Sequence, residues 1–264
     1  SATGISKAGF DTNAYGLVMG YDRKFTGKSV ILGGAFSYNH GSLDSTGDVL
    51  KTKNKYDSFG LHAYGAYAPV DRVNLIGTLS WMHNSSDITQ SINAAGFNKA
   101  DADVKTNLFS LGARAEANLP VGKANVIPHA GLRYVWAKSG SYDTKVDGKK
   151  VWGNTPDATN TFQLPIGVAV RGDIMTVSGW NVRPQADLTF IPQFGDTEQK
   201  TKLSNFNGVS DKLSGEFAGK FGTSVNLGVQ ADKGPTTFGV RYGFTAGTKG
   251  KADHAFKFEY RYRF

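Results

Sequence analysis

The stretch that most constrains the fold is Phe256-Lys257-Phe258-Glu259-Tyr260-Arg261-Tyr262-Arg263-Phe264, in which aromatic and charged residues alternate without a break. In an extended strand successive side chains point to opposite sides, so Phe256, Phe258, Tyr260, Tyr262 and Phe264 share one face and the four charges share the other. A helix would scatter both sets around its axis. Such a strand suits either the edge of a soluble sandwich or a membrane wall. The choice turns on whether the remaining chain repeats the pattern.

It does. Tyr15, Leu17, Met19 and Tyr21 alternate with Gly16, Val18, Gly20 and Asp22, and after a turn at 26–27 the same rhythm runs from Val30 to Tyr38. Two such runs joined by so short a connection form an antiparallel hairpin. The alternation recurs at about 53–68, 73–82, 109–117, 126–136, 162–171, 182–194, 212–232, 238–245 and 252–264, giving eleven strands. Connections alternate between tight turns (26–27, 70–72, 121–123, 175–179, 233–235) and polar loops (41–52, 86–100, 139–158, 196–211), with 247–251 a short exception. Short turns at one end and long loops at the other mark an outer-membrane barrel. Pro128, Pro165, Pro184 and Pro192 fall inside these strands. Each lacks a ladder donor, so bulges or strand ends are expected there.

One face is apolar in every strand, while the other mixes Gly, Ser, Asn, Gln, His, Arg and Glu and would make a poor dry core. A barrel in lipid turns the pattern inside out, apolar outward and polar inward. The mean hydropathy of −0.33 excludes a helical membrane protein but not a barrel, whose inward residues lower the average. The 33 glycines, 11 tyrosines and 17 phenylalanines suit that class. The formal charge of +8 is spread along the chain with no compact basic block, so nucleic acid is not an expected partner. Without cysteine there is neither a disulfide nor a thiolate metal site. Ser1-Ala2-Thr3-Gly4 has neither the charged nor the apolar region of a secretion signal, which reads as a processed or partial chain.

The runs Tyr15-Gly16-Leu17-Val18-Met19-Gly20-Tyr21-Asp22, Leu32-Gly33-Gly34-Ala35-Phe36-Ser37-Tyr38 and Gly239-Val240-Arg241-Tyr242-Gly243-Phe244, with the aromatic strand ending at Phe264, resemble the C-terminal translocator domain of bacterial autotransporters, the type V secretion family. The resemblance implies an all-β fold, an antiparallel transmembrane barrel of twelve strands in the outer membrane of a Gram-negative bacterium. It further implies outer-membrane lipid as surroundings and insertion by the barrel-assembly machinery, which reads a terminal aromatic strand such as 256–264. The implied role is export of an N-terminal passenger, a helical segment of which threads the lumen; this chain contains neither. Residues 1–264 are expected to form a single, monomeric barrel domain, with 1–12 as a loop or the remnant of a first strand. Eleven strands are one short of an even number, so either residues 1–12 form the upper part of a further strand between 13–24 and 252–264 that continues upstream of Ser1, the favoured expectation, or the long strand 212–232 is really two.

Parity places thirteen ionisable residues on the inward face: Asp22 and His62 in the first strands, Arg114 and Glu116 in the fifth, His129 and Arg133 in the sixth, Arg171 in the seventh, Arg183 and Asp187 in the eighth, Arg241 in the tenth, and Glu259, Arg261 and Arg263 in the last. They read as a hydrated, mutually paired wall. Their excess of arginine would favour anions if the chain were an open porin, the alternative reading. Ser85, Ser86 and Asp87 adjoin His83, and His40 lies near another outer strand end, but a catalytic triad is recognised by geometry, not by nearness in sequence. Asp101 and Asp103 have hard-cation spacing without the glycine turn and distal carboxylate of a calcium loop. No enzymatic activity, cofactor or metal is expected.

Overall fold

A computed structural model describes residues 10–25, 27, 29–45, 51–94, 96–196, 198–205, 210–216, 220–248 and 252–263. The chain runs as consecutive antiparallel hairpins: β1 (Phe10–Phe25), β2 (Val30–Ser45), β3 (Thr52–Val70), β4 (Val73–Ala94), β5 (Phe97–Ala117), then the short β6 (Leu119–Val121) before β7 (Ala124–Ser139). β8 (Tyr142–Val146) and β9 (Lys149–Pro156) form a hairpin of their own. β10 (Thr159–Gln163), β11 (Ile166–Gly172) and β12 (Ile174–Met175) are successive pieces of one line beside β13 (Asn181–Gly195). A second excursion, β14 (Glu198–Asn205) and β15 (Ser210–Glu216), precedes β16 (Phe221–Lys233), β17 (Thr236–Gly247) and β18 (Ala252–Tyr262).

Among the described residues, counting β10 to β12 as one and β6 with β5, eleven lines of strand cross the apolar band, the number the alternation predicts, but the expected strand 212–232 is divided, its start belonging to β15 against β14 and the rest to β16. The two faces have opposite fates. Leu111, Ile166 and Leu188 are 53%, 55% and 52% exposed, while Ser37, Ser58, Ser110, Thr161 and Thr189 are buried. Among the described residues Ile127 and Pro156 are the buried apolar side chains. A water-soluble protein does not display a contiguous apolar surface this large around a polar interior. In lipid the same arrangement places each face in its preferred solvent.

The four prolines occupy interruptions of the ladder. Between β5 and β6 the pairing to β7 lapses opposite Ile127 and Pro128. Leu164 and Pro165 separate β10 from β11 and face Ile191 and Pro192, where Leu164 N donates to Pro192 O at 2.9 Å. Gly172 and Asp173 break the pairing to β13 opposite Arg183 and Pro184. Three of the prolines are therefore interior to long strands instead of at their ends, and the missing donor is accommodated by a break in the neighbour.

The expected long loops are corrected by the structure. Residues 86–94 and 97–100 continue β4 and β5, which reach 22 and 21 residues, about twice what a tilted strand needs to cross a membrane. Residues 142–156 and 198–205 are strands too; β8 pairs the upper part of β5, and β9 pairs β14. The polar segments thus form an outer tier of sheet above the membrane band. Tyr142, Thr144 and Val146 alternate with Asp143 and Lys145 and pair with Asn154, Trp152 and Lys149 across an Asp147-Gly148 turn with φ of 46° and 81°. Two successive positive φ values are what a two-residue hairpin turn requires.

β1 pairs with β2 and β18 with β17, and among the described residues no ladder joins β1 to β18. Both outer strands are exposed on both faces over nearly their whole length.

Candidate functional site

The polar face is where the sheet curls. Neighbouring strands lie about 4.8 Å apart, so strands two apart are separated by roughly twice that, too far for short side chains to meet unless the surface bends toward them. They do meet. Tyr64 Oη on β3 donates to Asp22 Oδ2 on β1 at 3.0 Å, passing over β2. His129 Nε2 on β7 lies 2.9 Å from Asp187 Oδ2 on β13, passing over β11. Tyr64 is also within electrostatic range of Glu259 and Arg261 on β18, which brings the two ends of the sheet toward one another across the interior.

Glycine in the intervening strand makes each crossing possible. A Cβ on Gly33 would stand 2.5 Å from Tyr64 Cζ and 2.7 Å from the Asp22 Cβ. A Cβ on Gly167 would strike Leu188 O and come within 2.7 Å of His129 Cε1 and 2.8 Å of Thr189 Oγ1. These positions are bare because another side chain lies across them.

The predicted polar residues fall into small networks. His62 is held between Ser37 Oγ at 2.8 Å and Ser80 Oγ at 2.9 Å. The His129 side chain is 1% exposed against Asp187, whose other oxygen accepts from Thr189 Oγ1 at 2.6 Å. Arg114 pairs Glu116, and Arg261 pairs Glu259, each at 3.2 Å. Arg183 is ion-paired with Asp232, which also accepts from Thr237 Oγ1 at 2.7 Å. With its amide oriented to accept, Gln185 Oε1 receives Arg241 Nη2 and Nε at 3.1 and 3.2 Å. Among the described residues Arg133, Arg171 and Arg263 make no ion pair. Sequence parity missed the partners Tyr64, Thr189 and Asp232; their Tyr, Thr and Asp identities at inward positions were the available signal.

The opposite face carries Phe256, Phe258, Tyr260 and Tyr262 exposed, and Phe264 lies outside the described residues. Aromatic and histidine rings gather at its outer margin: His40 stacks 5.3 Å from Tyr15, and His83 the same distance from Phe59. His40 Nδ1 contacts Asp57 Oδ1 at 2.9 Å, while His83 Nδ1 contacts Asn107 Oδ1 at 3.0 Å, not Ser85, Ser86 or Asp87. Asp101 is paired with Lys99 at 3.0 Å, and among the described residues no cluster of three metal-ligating side chains forms. In the outer tier, burial pushes the Tyr142 hydroxyl above its ordinary range. That tier also carries an open cavity of about 600 Å³, bounded by Lys105, Tyr142, Asp143, Lys150 and Asn154.

No helix among the described residues is long and apolar enough to cross a membrane. Strands with an apolar exterior, a curled polar interior, tight turns at one end and an extended tier at the other define an antiparallel β-barrel of the Gram-negative outer membrane. Residues 2–243 match the family model of the autotransporter β-domain, and the chain belongs to that family, the outer-membrane translocators of type V secretion. Solved structures agree on the fold. The β-domain of the Bordetella autotransporter BrkA superposes with a TM-score of 0.68 at 20% identity, over 97% of this chain and 92% of that one. The translocator domain of NalP from Neisseria meningitidis gives 0.68 at 18% identity, over 97% and 82%. The transport unit of AIDA-I from Escherichia coli gives 0.65 at 15% identity, over 97% and 84%. No curated protein shows significant sequence similarity to the chain.

Proposed function

We propose that the polar face lines a lumen through which a passenger segment attached at the N-terminal side leaves the cell, the barrel remaining as its anchor. The observation that carries this reading is the inversion of faces, with buried hydroxyl, amide and paired ionic groups inside and apolar residues outside. A polypeptide in transit needs such a surface: hydrated, with most charges already neutralised, so that no single group holds it. Asp22, His62, Arg114, Glu116, His129, Arg133, Arg171, Arg183, Asp187, Arg241, Glu259, Arg261 and Arg263 are the ionic part of that wall. The terminal aromatic strand is the recognition element for the barrel-assembly machinery, and the barrel works as a monomer. A further strand between β1 and β18 would satisfy two edges that lipid cannot hydrate. The reading assigns no catalytic step to the chain.

The test is export itself. With a reporter passenger upstream of the chain, behind a secretion signal in a Gram-negative host, protease added to intact cells should remove the reporter and spare the barrel. A reporter that stays protease-resistant in cells whose barrel is folded would refute the reading. A constitutive pore is the second reading, favoured by the unpaired Arg133 and Arg171. In planar bilayers both readings give anion-preferring currents, weakened by Arg133→Gln and Arg171→Gln together. They part when a helical segment is added upstream: an export domain loses conductance, and a constitutive porin does not.

A further inference from the structure

Of the tight turns, four carry only polar residues, glycine or proline at their tips in the described residues, Gly27 and Ser29, Asp71 and Arg72, Gly122 and Lys123, Gly234 and Pro235, although Val70 and Val121 beside two of these tips are 62% and 60% exposed. The fifth, between β12 and β13, runs Ile174-Met175-Thr176-Val177, with Ile174 54% exposed, Met175 71% and Val177 fully exposed. It is a built turn. Thr176 N donates to Trp180 O at 2.8 Å, Trp180 N donates to Thr176 Oγ1 at 3.0 Å, and Gly179, at a φ of 80°, donates its N–H to Thr176 O at 3.0 Å. An apolar tip held in one shape is an odd thing to show to water.

Its surroundings say what covers it. Ile174 is paired with Val182 and continues the lipid-facing column of Ile166, Val168 and Val170. Trp180 stacks 6.1 Å from Phe238, which stacks 5.3 Å from Tyr260, and Lys233 Nζ stands 5.9 Å from the centre of the Trp180 ring. Aromatic rings with an adjacent lysine mark the level of a membrane interface, where amphipathic side chains sit among headgroups. A strand rising about 3.3 Å per residue at a 45° tilt descends roughly 2.3 Å per residue. Val177, three residues past Ile174, is therefore about 7 Å lower, and a headgroup layer is about 5–7 Å deep on each side. The tip ends within the lipid interface instead of beyond it.

We propose that residues 173–180 are a lipid anchor, seating Ile174 at the edge of the acyl band and Val177 in the headgroup layer of the periplasmic leaflet, with Trp180 at the acyl boundary and the Lys233 ammonium against a phosphate. The anchor pins the barrel's height on its β11–β13 side. The partner is a phospholipid surface, and the proposal stands whether or not a passenger is exported.

Because the chain lacks cysteine, single-cysteine labelling reads the site directly. Val177→Cys carrying an environment-sensitive fluorophore, in barrels refolded into phosphatidylglycerol–phosphatidylethanolamine vesicles, should show blue-shifted emission, quenching by lipids nitroxide-labelled near the headgroup, and protection from iodide. The same label at Lys123→Cys should show none of these. Since a label could disturb the turn, brominated phospholipid is also added to the unlabelled protein, where it should quench an emission component that Trp180→Phe removes. Iodide access at 177 equal to that at 123, or bromine quenching unchanged by Trp180→Phe, overturns the anchor.

Discussion

Leu227 and Asn226 are neighbours in sequence at one depth on opposite faces of β16, so arginine at each position isolates the effect of the face. The apolar residues of β16 run from Phe221 to Ala231 with Asn226 at the centre, which puts Leu227 about 2 Å from the midplane of the band. Leu227 is 49% exposed on the lipid side. A guanidinium there costs about 2–4 kcal/mol, a loss of roughly 30- to 1,000-fold in the folding equilibrium. Arginine at 226 loses the 3.1 Å hydrogen bond from Asn226 Nδ2 to Ser224 Oγ, worth about 1 kcal/mol, and gains the carboxylate of Asp187, its register partner on β13. Asn226→Arg should therefore stay within about 1 kcal/mol of the parent. Urea titration of refolding into lipid vesicles, followed by the shift between heated and unheated electrophoretic mobility, measures both. Equal losses for Leu227→Arg and Asn226→Arg, or a Leu227→Arg variant as stable as the parent, would refute the assignment of faces.

Two further outcomes follow from the polar face and the outer tier. Gly167→Ala pushes a methyl against Leu188 O and the His129 ring, so overpacking should cost about 1–3 kcal/mol in the same titration, whereas Gly77→Ala, which has open space, should not. Burial raises the Tyr142 pKa above its ordinary value near 10; below about pH 10 the stability it contributes to the β8–β9 hairpin is complete, and it is lost as pH climbs further, because the unfolded tyrosine ionises first. Alkaline titration of Trp152 fluorescence should show this loss in the parent and a flatter profile in Tyr142→Phe, and identical profiles would contradict it.

Much of this architecture was legible in the sequence because a period of two is the whole code of a barrel wall. Once Phe256 to Phe264 set the rhythm, the strand count, the turns and the sorting of faces followed. The outer tier was less legible as strand, because polar and charged residues such as Asp87, Lys99, Lys149 and Lys150 mask the alternation that polarity alone reports; the Asp147-Gly148 turn is the signal that marks it. Pairings such as His129 with Asp187 were not legible either. They depend on the register of strands on both sides of β11 and on the bare Gly167 between, and neither register nor curvature is written at a single position. Pro128, Pro184 and Pro192 show the reverse case, where a local rule anticipated irregularity and the ladder supplied it in the neighbouring strand.

The most direct measurement of export through the lumen is a site-specific cross-link to a passenger stalled in transit. Thr78 and Leu79 on β4 are both exposed, the first on the polar face and the second on the apolar face. With one cysteine in the passenger and one in the cysteine-free barrel, Thr78→Cys should cross-link to the stalled chain and Leu79→Cys should not. Cross-linking at Leu79→Cys equal to that at Thr78→Cys, or at neither while the passenger still reaches the surface, would contradict passage through the lumen.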